Sequence, residues 1–180
     1  MAEIGESALA IFPSAEISQT IDRWRRVYDP YVALIPPHIT VVYPLGISPQ
    51  VWPEVRPIFI QSLAQFQPFQ VKITTLNSFF SPQMVLWLQP EENEVISCLH
   101  TVLEERFPGF IPRGPLTFVP HLTLGFFVSR KKLEQAQYKI SREFKSMEFT
   151  VEELVYAALG EGKRWELVDH LPLGKRLRPR

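Results

Sequence analysis

The sequence predicts a mixed fold of strands and helices arranged as two similar lobes facing each other. Three observations point there. The order strand, helix, strand, helix, strand occurs once in each half: Ala8 to Pro13 corresponds to Val85 to Pro90, Pro37–Val41 to Pro120–Leu124, and Phe69–Val71 to Phe149–Val151. The offset drifts between 77 and 83 residues, as in a diverged duplication and unlike a solenoid period. Proline makes up 17 of 180 residues and is spread over nearly the whole chain as punctuation between short elements, which argues against a helical bundle. Hydrophobic residues form 46% and charged residues 21%, the balance of a globular domain with its own core, so disorder is excluded.

Each element has a local cause. Ala8–Phe12 is an apolar run closed by Pro13, which suits a buried strand. Ser14 is an N-cap for a helix to Tyr28 with Ile17, Ile21 and Trp24 on one stripe, ended by Asp29-Pro30. Proline-bounded, β-branched Pro37–Pro44 reads as a strand, Pro49 to about Phe66 as a helix disturbed early by Pro53 and Pro57, and alternating Phe69–Thr74 as a half-buried strand. Met84–Leu88 is a further apolar run ended by Pro90. Glu91–Phe107 suits a helix with Val95, Ile96, Leu99, Val102 and Leu103 inward, stopped by Pro108-Gly109. Pro120–Phe127 reads as a strand, Ser129–Phe144 as a Ser-capped helix, and Phe149 onward to Leu159 as one strand. A Gly160-Glu161-Gly162 turn leads into Arg164–Leu171, and residues 174–180 form a basic tail. The whole of 1–180 is expected to be a single domain of two pseudo-symmetric lobes.

Several function classes fall away. Nineteen Lys plus Arg balance nineteen Asp plus Glu, and a net charge of zero does not suit a protein that coats polyanions non-specifically. The single Cys98 leaves no internal disulfide and no cysteine-based zinc site. No apolar run reaches the ~18–20 residues of a membrane span, and the first residues lack a basic signal-peptide start, so a cytoplasmic protein without membrane contact is expected.

The chemistry sits on two of the four histidines. His38 and His121 each occur in Pro-His-aliphatic-Thr-aliphatic. From composition alone, two of four histidines with Thr two residues on is on the order of a 1% event. Along a strand, residues i and i+2 share a face. His38 and Thr40 therefore point one way while Ile39 and Val41 enter a core; His121 and Thr123 repeat this in front of Leu122 and Leu124. Facing lobes would bring two imidazoles to a cleft with two hydroxyls between them. Such a set suits phosphoryl transfer at a diester: a neutral imidazole takes a proton, an imidazolium gives one, and the hydroxyls hydrogen-bond the non-bridging oxygens. The scheme uses no metal and no cofactor.

Two Pro-flanked His-x-Thr copies some eighty residues apart, with Val85-Leu86-Trp87-Leu88 before the middle helix and a closing hairpin to Leu171-Pro172-Leu173, resemble the 2H phosphoesterase superfamily, in particular its 2′-5′ RNA ligase/cyclic phosphodiesterase branch. The likeness runs over nearly the whole chain. It implies a bilobal α+β fold, two antiparallel sheets facing a central cleft with helices on the outer faces. It also implies an enzyme of metal-independent chemistry on 2′,3′-cyclic phosphates or 2′-5′ linkages, with His38, Thr40, His121 and Thr123 as the motif residues. The partner is then an RNA end or a small cyclic or 2′-5′-linked nucleotide, with no obligatory protein partner. A non-catalytic nucleotide- or RNA-end-binding module is the alternative. Ser78–Ser81 lacks the basic pair often found there in the family, and Trp165 stands where Tyr is common.

Substrate contacts are expected from four further residues. By simple alternation Phe127 shares the face of His121 and Thr123, placing it either to stack on a base or to pack in the core beside Phe126. Phe79 sits in a loop that the family often places at the cleft rim. Lys72, on the polar face of its strand, and Arg113, in the Pro-Arg-Gly-Pro loop ahead of the second motif, are candidates for a phosphate, although a cation at such a position is usually only solvated. His100 reads as a helix-surface or satisfied core residue, and His170 as a solvated hairpin residue.

Overall fold

The structure, a computed structural model, describes residues 6–91, 94–112 and 117–174. In chain order the elements are β1 (Ser7–Ile11), α1 (Ala15–Tyr28), β2 (Ile39–Val42), α2 (Trp52–Leu63), β3 (Phe69–Phe79), β4 (Met84–Pro90), α3 (Glu94–Arg106), β5 (Leu122–Phe127), α4 (Arg130–Glu143), β6 (Met147–Val151), β7 (Glu153–Leu159) and β8 (Trp165–Pro172), with a short 3₁₀ turn at Glu161–Lys163. Ser14 and Ser129 cap α1 and α4 with their side chains, as expected from their positions. Pro53 lies in the first turn of α2, where its missing N–H costs nothing, and Pro57 is carried inside the helix.

The strands form one antiparallel sheet in the order β6-β3-β4-β5-β2-β1-β7-β8. This corrects the expectation of two separate sheets. The two four-stranded halves join edge to edge where Ile39 of β2 pairs Leu122 of β5. A second correction concerns the strand read through Phe149–Leu159. It breaks at Glu152, because Phe149 pairs Val71 of β3 in one half while Tyr156 pairs Leu9 of β1 in the other. The helices pack over the apolar sheet face that carries Leu9, Ile39, Leu86, Leu88, Leu122 and Leu124, meeting it through Ile21, Phe59, Leu99 and Leu133 among others. The opposite face curls around the cleft.

Two bulges shape that cleft. Between β1 and β2 the register steps from Ala10↔Thr40 to Leu9↔Val42, leaving Val41 as the extra residue. Between β4 and β5 it steps from Trp87↔Thr123 to Leu86↔Gly125, leaving Leu124 extra. Each motif strand is therefore bulged at the residue just after its threonine. An extra residue shifts the in/out alternation by one position beyond it. Gly125 also admits the end of α1: a Cβ there would stand 2.4 Å from the Tyr28 Cβ and 2.6 Å from its carbonyl oxygen.

Candidate functional site

The pairing of Ile39 with Leu122 fixes the site. Continued one residue either way, this antiparallel register sets His38 opposite Thr123 and Thr40 opposite His121, all four on the cleft face. The two imidazoles lie on a diagonal, each facing a hydroxyl across the strand pair. A positive charge on His121 disfavours protonation of His38, which records their proximity.

Both rings are held alike. His38 Nδ1 lies 2.8 Å from the Pro36 carbonyl oxygen and His121 Nδ1 lies 2.8 Å from that of Val119. A carbonyl only accepts, so each Nδ1 carries a hydrogen and each Nε2 is left as the free basic nitrogen in the neutral ring. Burial lowers the pKa of His38 from 6.5 to about 4, overcoming the Pro36 hydrogen bond and helped by the Arg25 cation and by His121, with Asp29 acting the other way. Burial likewise lowers that of His121, against the Val119 hydrogen bond. Their surroundings differ in kind. His121 is packed among aromatic rings, 5.1 Å from Phe79 and 5.7 Å from Trp87, which stack on each other at 4.7 Å. His38 has Phe12 at 5.8 Å and a buried ion group behind it.

That group is one the sequence reading missed. Arg25, on α1 and only 2% exposed, donates from Nε to Asp29 Oδ2 at 2.9 Å, from Nη1 to Asp22 Oδ1 at 2.9 Å and from Nη2 to the Ile35 carbonyl at 2.8 Å. The last bond ties down the segment that leads into Pro36 and His38. Asp29 Oδ1 also accepts from the Tyr31 amide at 2.8 Å. The i, i+4 spacing of Arg25 and Asp29 was legible as a helix pair, but nothing local showed that it would be buried against a cleft.

The cavity has a volume of about 250 Å³. Its floor is Ala8, Ala10 and Ala157, small residues of β1 and β7, and His38, Thr40 and Thr123 reach it. Tyr31, Tyr43, Phe126 and Trp165 form its aromatic walls. Tyr43 meets Trp165 with ring centroids 5.9 Å apart at 66°, and Phe126 meets Tyr31 at 5.3 Å and 87°.

The four expected substrate contacts part company. Phe79 stands against His121, at the site, but as the last residue of β3, paired with Val85 of β4, and not in the loop expected for it. Phe127 does not face the cleft: the bulge at Leu124 turns Phe126 inward and sends Phe127 to Tyr28 of α1, with centroids 5.7 Å apart. Lys72 pairs Glu91 at 3.4 Å, away from the cavity lining. Arg113 lies outside the described residues, as do the tail cations after Gly174. His100 is a satisfied residue, its Nδ1 2.8 Å from the carbonyl of the bulged Val41 and its ring stacked on Phe118 at 3.9 Å. His170 is exposed and pairs Glu153 at 2.6 Å. Among the described residues no helix is long and apolar enough to cross a membrane.

Comparison with known proteins shows the family and the fold. The family model for the 2′-5′ RNA ligase superfamily matches residues 13–162. A protein of Geobacillus thermodenitrificans that carries a phosphoesterase name is 26% identical over 166 residues, covering 92% of this chain and 95% of its own. One from Geobacillus sp. (strain WCH70), named likewise, is 31% identical over 131 residues, covering 72% of this chain and 71% of its own. In fold the chain is similar to LigT of E. coli in its crystal structure with 3′-AMP, with a TM-score of 0.64 at 17% identity, covering 95% of this chain and 99% of that one. With a family model spanning most of its length and paired His-x-Thr strands meeting at one seam, the chain belongs to the 2′-5′ RNA ligase superfamily of 2H phosphoesterases.

Proposed function

We propose that this protein is a phosphodiesterase acting on 2′,3′-cyclic phosphate or 2′-5′ phosphodiester linkages of RNA or nucleotides by two-histidine acid–base catalysis. The cross-strand quartet of His38, Thr123, Thr40 and His121, with both Nδ1 atoms bonded to backbone carbonyls, carries this reading. It presents two free Nε2 atoms to one phosphate. The LigT crystal structures contain 3′-AMP, NADP+, ATP or phosphate, which supports a nucleotide-sized phosphate ester as ligand here.

The roles follow from the surroundings. Both imidazoles are neutral near pH 7 in the empty site, since each pKa is lowered. A bound diester monoanion favours one imidazolium, and the buried Arg25 cation beside His38 steers that proton to His121. In hydrolysis His38 Nε2 takes a proton from the attacking water as its oxygen bonds phosphorus. His121 Nε2–H gives its proton to the departing sugar oxygen as the old P–O bond breaks. Thr40 and Thr123 hydroxyls donate to the non-bridging oxygens as charge builds there.

Turnover of a panel of 2′,3′-cyclic nucleotides and 2′-5′-linked oligomers tests this directly. His38→Ala and His121→Ala each lose about 10²–10⁴-fold in kcat with the fold retained. Wild-type turnover in either variant removes that histidine from the mechanism. Nucleotide binding without any turnover by the unaltered protein would establish the non-catalytic module instead.

A further inference from the structure

The two bulges have a joint consequence. The fifth residue after each motif histidine is aromatic: Phe126 after His121, inside β5, and Tyr43 after His38, one residue past the end of β2. Unbroken alternation would turn these odd-offset positions away from the histidine face. The extra residues Val41 and Leu124 restore them to it, and both rings line the cavity. Because β2 and β5 run antiparallel through the Ile39↔Leu122 pair, the two rings lie toward opposite ends of the strand pair with the catalytic quartet between them. At roughly 3.3 Å per residue their Cα atoms are on the order of 20 Å apart. Phe126 lies beyond the His38/Thr123 end and Tyr43 beyond the Thr40/His121 end.

Each ring is set by an edge contact with a second one, Trp165 for Tyr43 and Tyr31 for Phe126. Tyr43 is 54% and Tyr31 51% exposed, so apolar ring surface is open at the rim on both sides. Charge complements this. Among the described residues lining the cavity the only Lys or Arg is Arg25, and its guanidinium is committed to two carboxylates and a carbonyl. Nothing there favours additional phosphates.

We infer that Tyr43 and Phe126 are a matched pair of stacking platforms, one for the base on each side of the scissile phosphate, so that the preferred substrate is a singly charged diester joining two nucleosides. This rests on the phosphodiesterase reading above and specifies its substrate. Stacking of one base on one aromatic side chain corresponds to about 5- to 150-fold in affinity.

The experiment compares kcat and KM for 2′-5′-linked adenylyl-adenosine, for the same diester with either base replaced by hydrogen, and for adenosine 2′,3′-cyclic phosphate. The intact dinucleoside should exceed each one-base analogue by about 5- to 150-fold in kcat/KM. Tyr43→Ala and Phe126→Ala should each raise KM for the dinucleoside by a similar factor with kcat little changed. Each should also become indifferent to the removal of one base, a different base in the two variants. Tyr43→Phe and Phe126→Tyr should keep the preference. Equal kcat/KM for the one-base and two-base substrates, or two alanine variants indifferent to the same base, overturns the platform pair while leaving the phosphodiesterase intact. Should the unaltered protein turn over none of the panel, the phosphodiesterase reading fails by itself. Calorimetric Kd values for the same compounds then decide the platforms: tighter binding with both bases supports them, and equal binding overturns them.

Discussion

Replacing Arg25 by methionine separates its two contributions, to folding and to His38. The guanidinium is 2% exposed and its partner Asp29 carboxylate 3%, at 2.9 Å, while Asp22 is 25% exposed. Removing one member of a buried pair leaves the other as an uncompensated charge, at a cost of about 3–5 kcal/mol. For a domain of this size each kcal/mol lowers the melting temperature by roughly 2–4 °C, so Arg25→Met should melt about 6–20 °C below the unaltered protein in a thermal scan. Adding Asp29→Asn removes the orphaned charge and should return a large part of that loss. The second effect has a definite sign. The Arg25 cation opposes protonation of His38 and Asp29 favours it, so the single variant raises the His38 pKa from about 4. The acid limb of kcat/KM must then move to higher pH, and less so in the double variant. A melting loss under about 2 °C would show that water already solvates the group. An acid limb that stays in place or moves lower would show that Arg25 does not act on His38.

In the unaltered protein kcat/KM should rise through a limb near pH 4, where His38 becomes a base, and fall through one below 6.5, where free His121 loses its proton. An optimum above pH 7 contradicts the assignment. Stability follows the same depressed value: a histidine that resists protonation when folded contributes fully above the unfolded value of 6.5, and that contribution is lost as the pH falls from there to about 4. The urea midpoint of wild type should drop across this window more than that of His38→Ala. Gly125→Ala places a methyl 2.4 Å from the Tyr28 Cβ and 2.9 Å from its carbonyl carbon, so α1 must move; a loss of about 1–3 kcal/mol is expected in chemical denaturation, and an unchanged midpoint would show that the helix end yields freely.

The common face of His38, Thr40, His121 and Thr123 was legible because it depends on a local rule, the shared side of residues i and i+2, and Thr40 and Thr123 obey it. Phe127 failed the same rule four residues after Thr123. Nothing in His121–Phe127 announces that Leu124 will be extra, since the bulge is a property of two strands together. Tyr43 escaped attention for the same reason behind Val41. A third bulge, at Thr74, broke the alternation that would have carried β3 on to Phe79. The division of Phe149–Leu159 into strands of opposite halves turns on partners some 80 and some 150 residues away, Val71 and Leu9, which no window of sequence contains. Arg25 was hidden differently, because a basic residue on an amphipathic helix looks solvated until the neighbouring chain closes over it. The alanines of the cavity floor carry no signal at all; they matter as absent volume.

The seam at Ile39 and Leu122 determines how such a molecule can diverge. A slip of one position there would send the two imidazoles to opposite faces of the sheet, whereas lengthening the turn at Phe80–Gln83 or the connection after Leu159 leaves their alignment untouched. The alignment of the two His-x-Thr segments and the length of the outer loops are thus inherited separately: descendants can acquire new outer connections by insertion while the central ladder keeps the four side chains on one face.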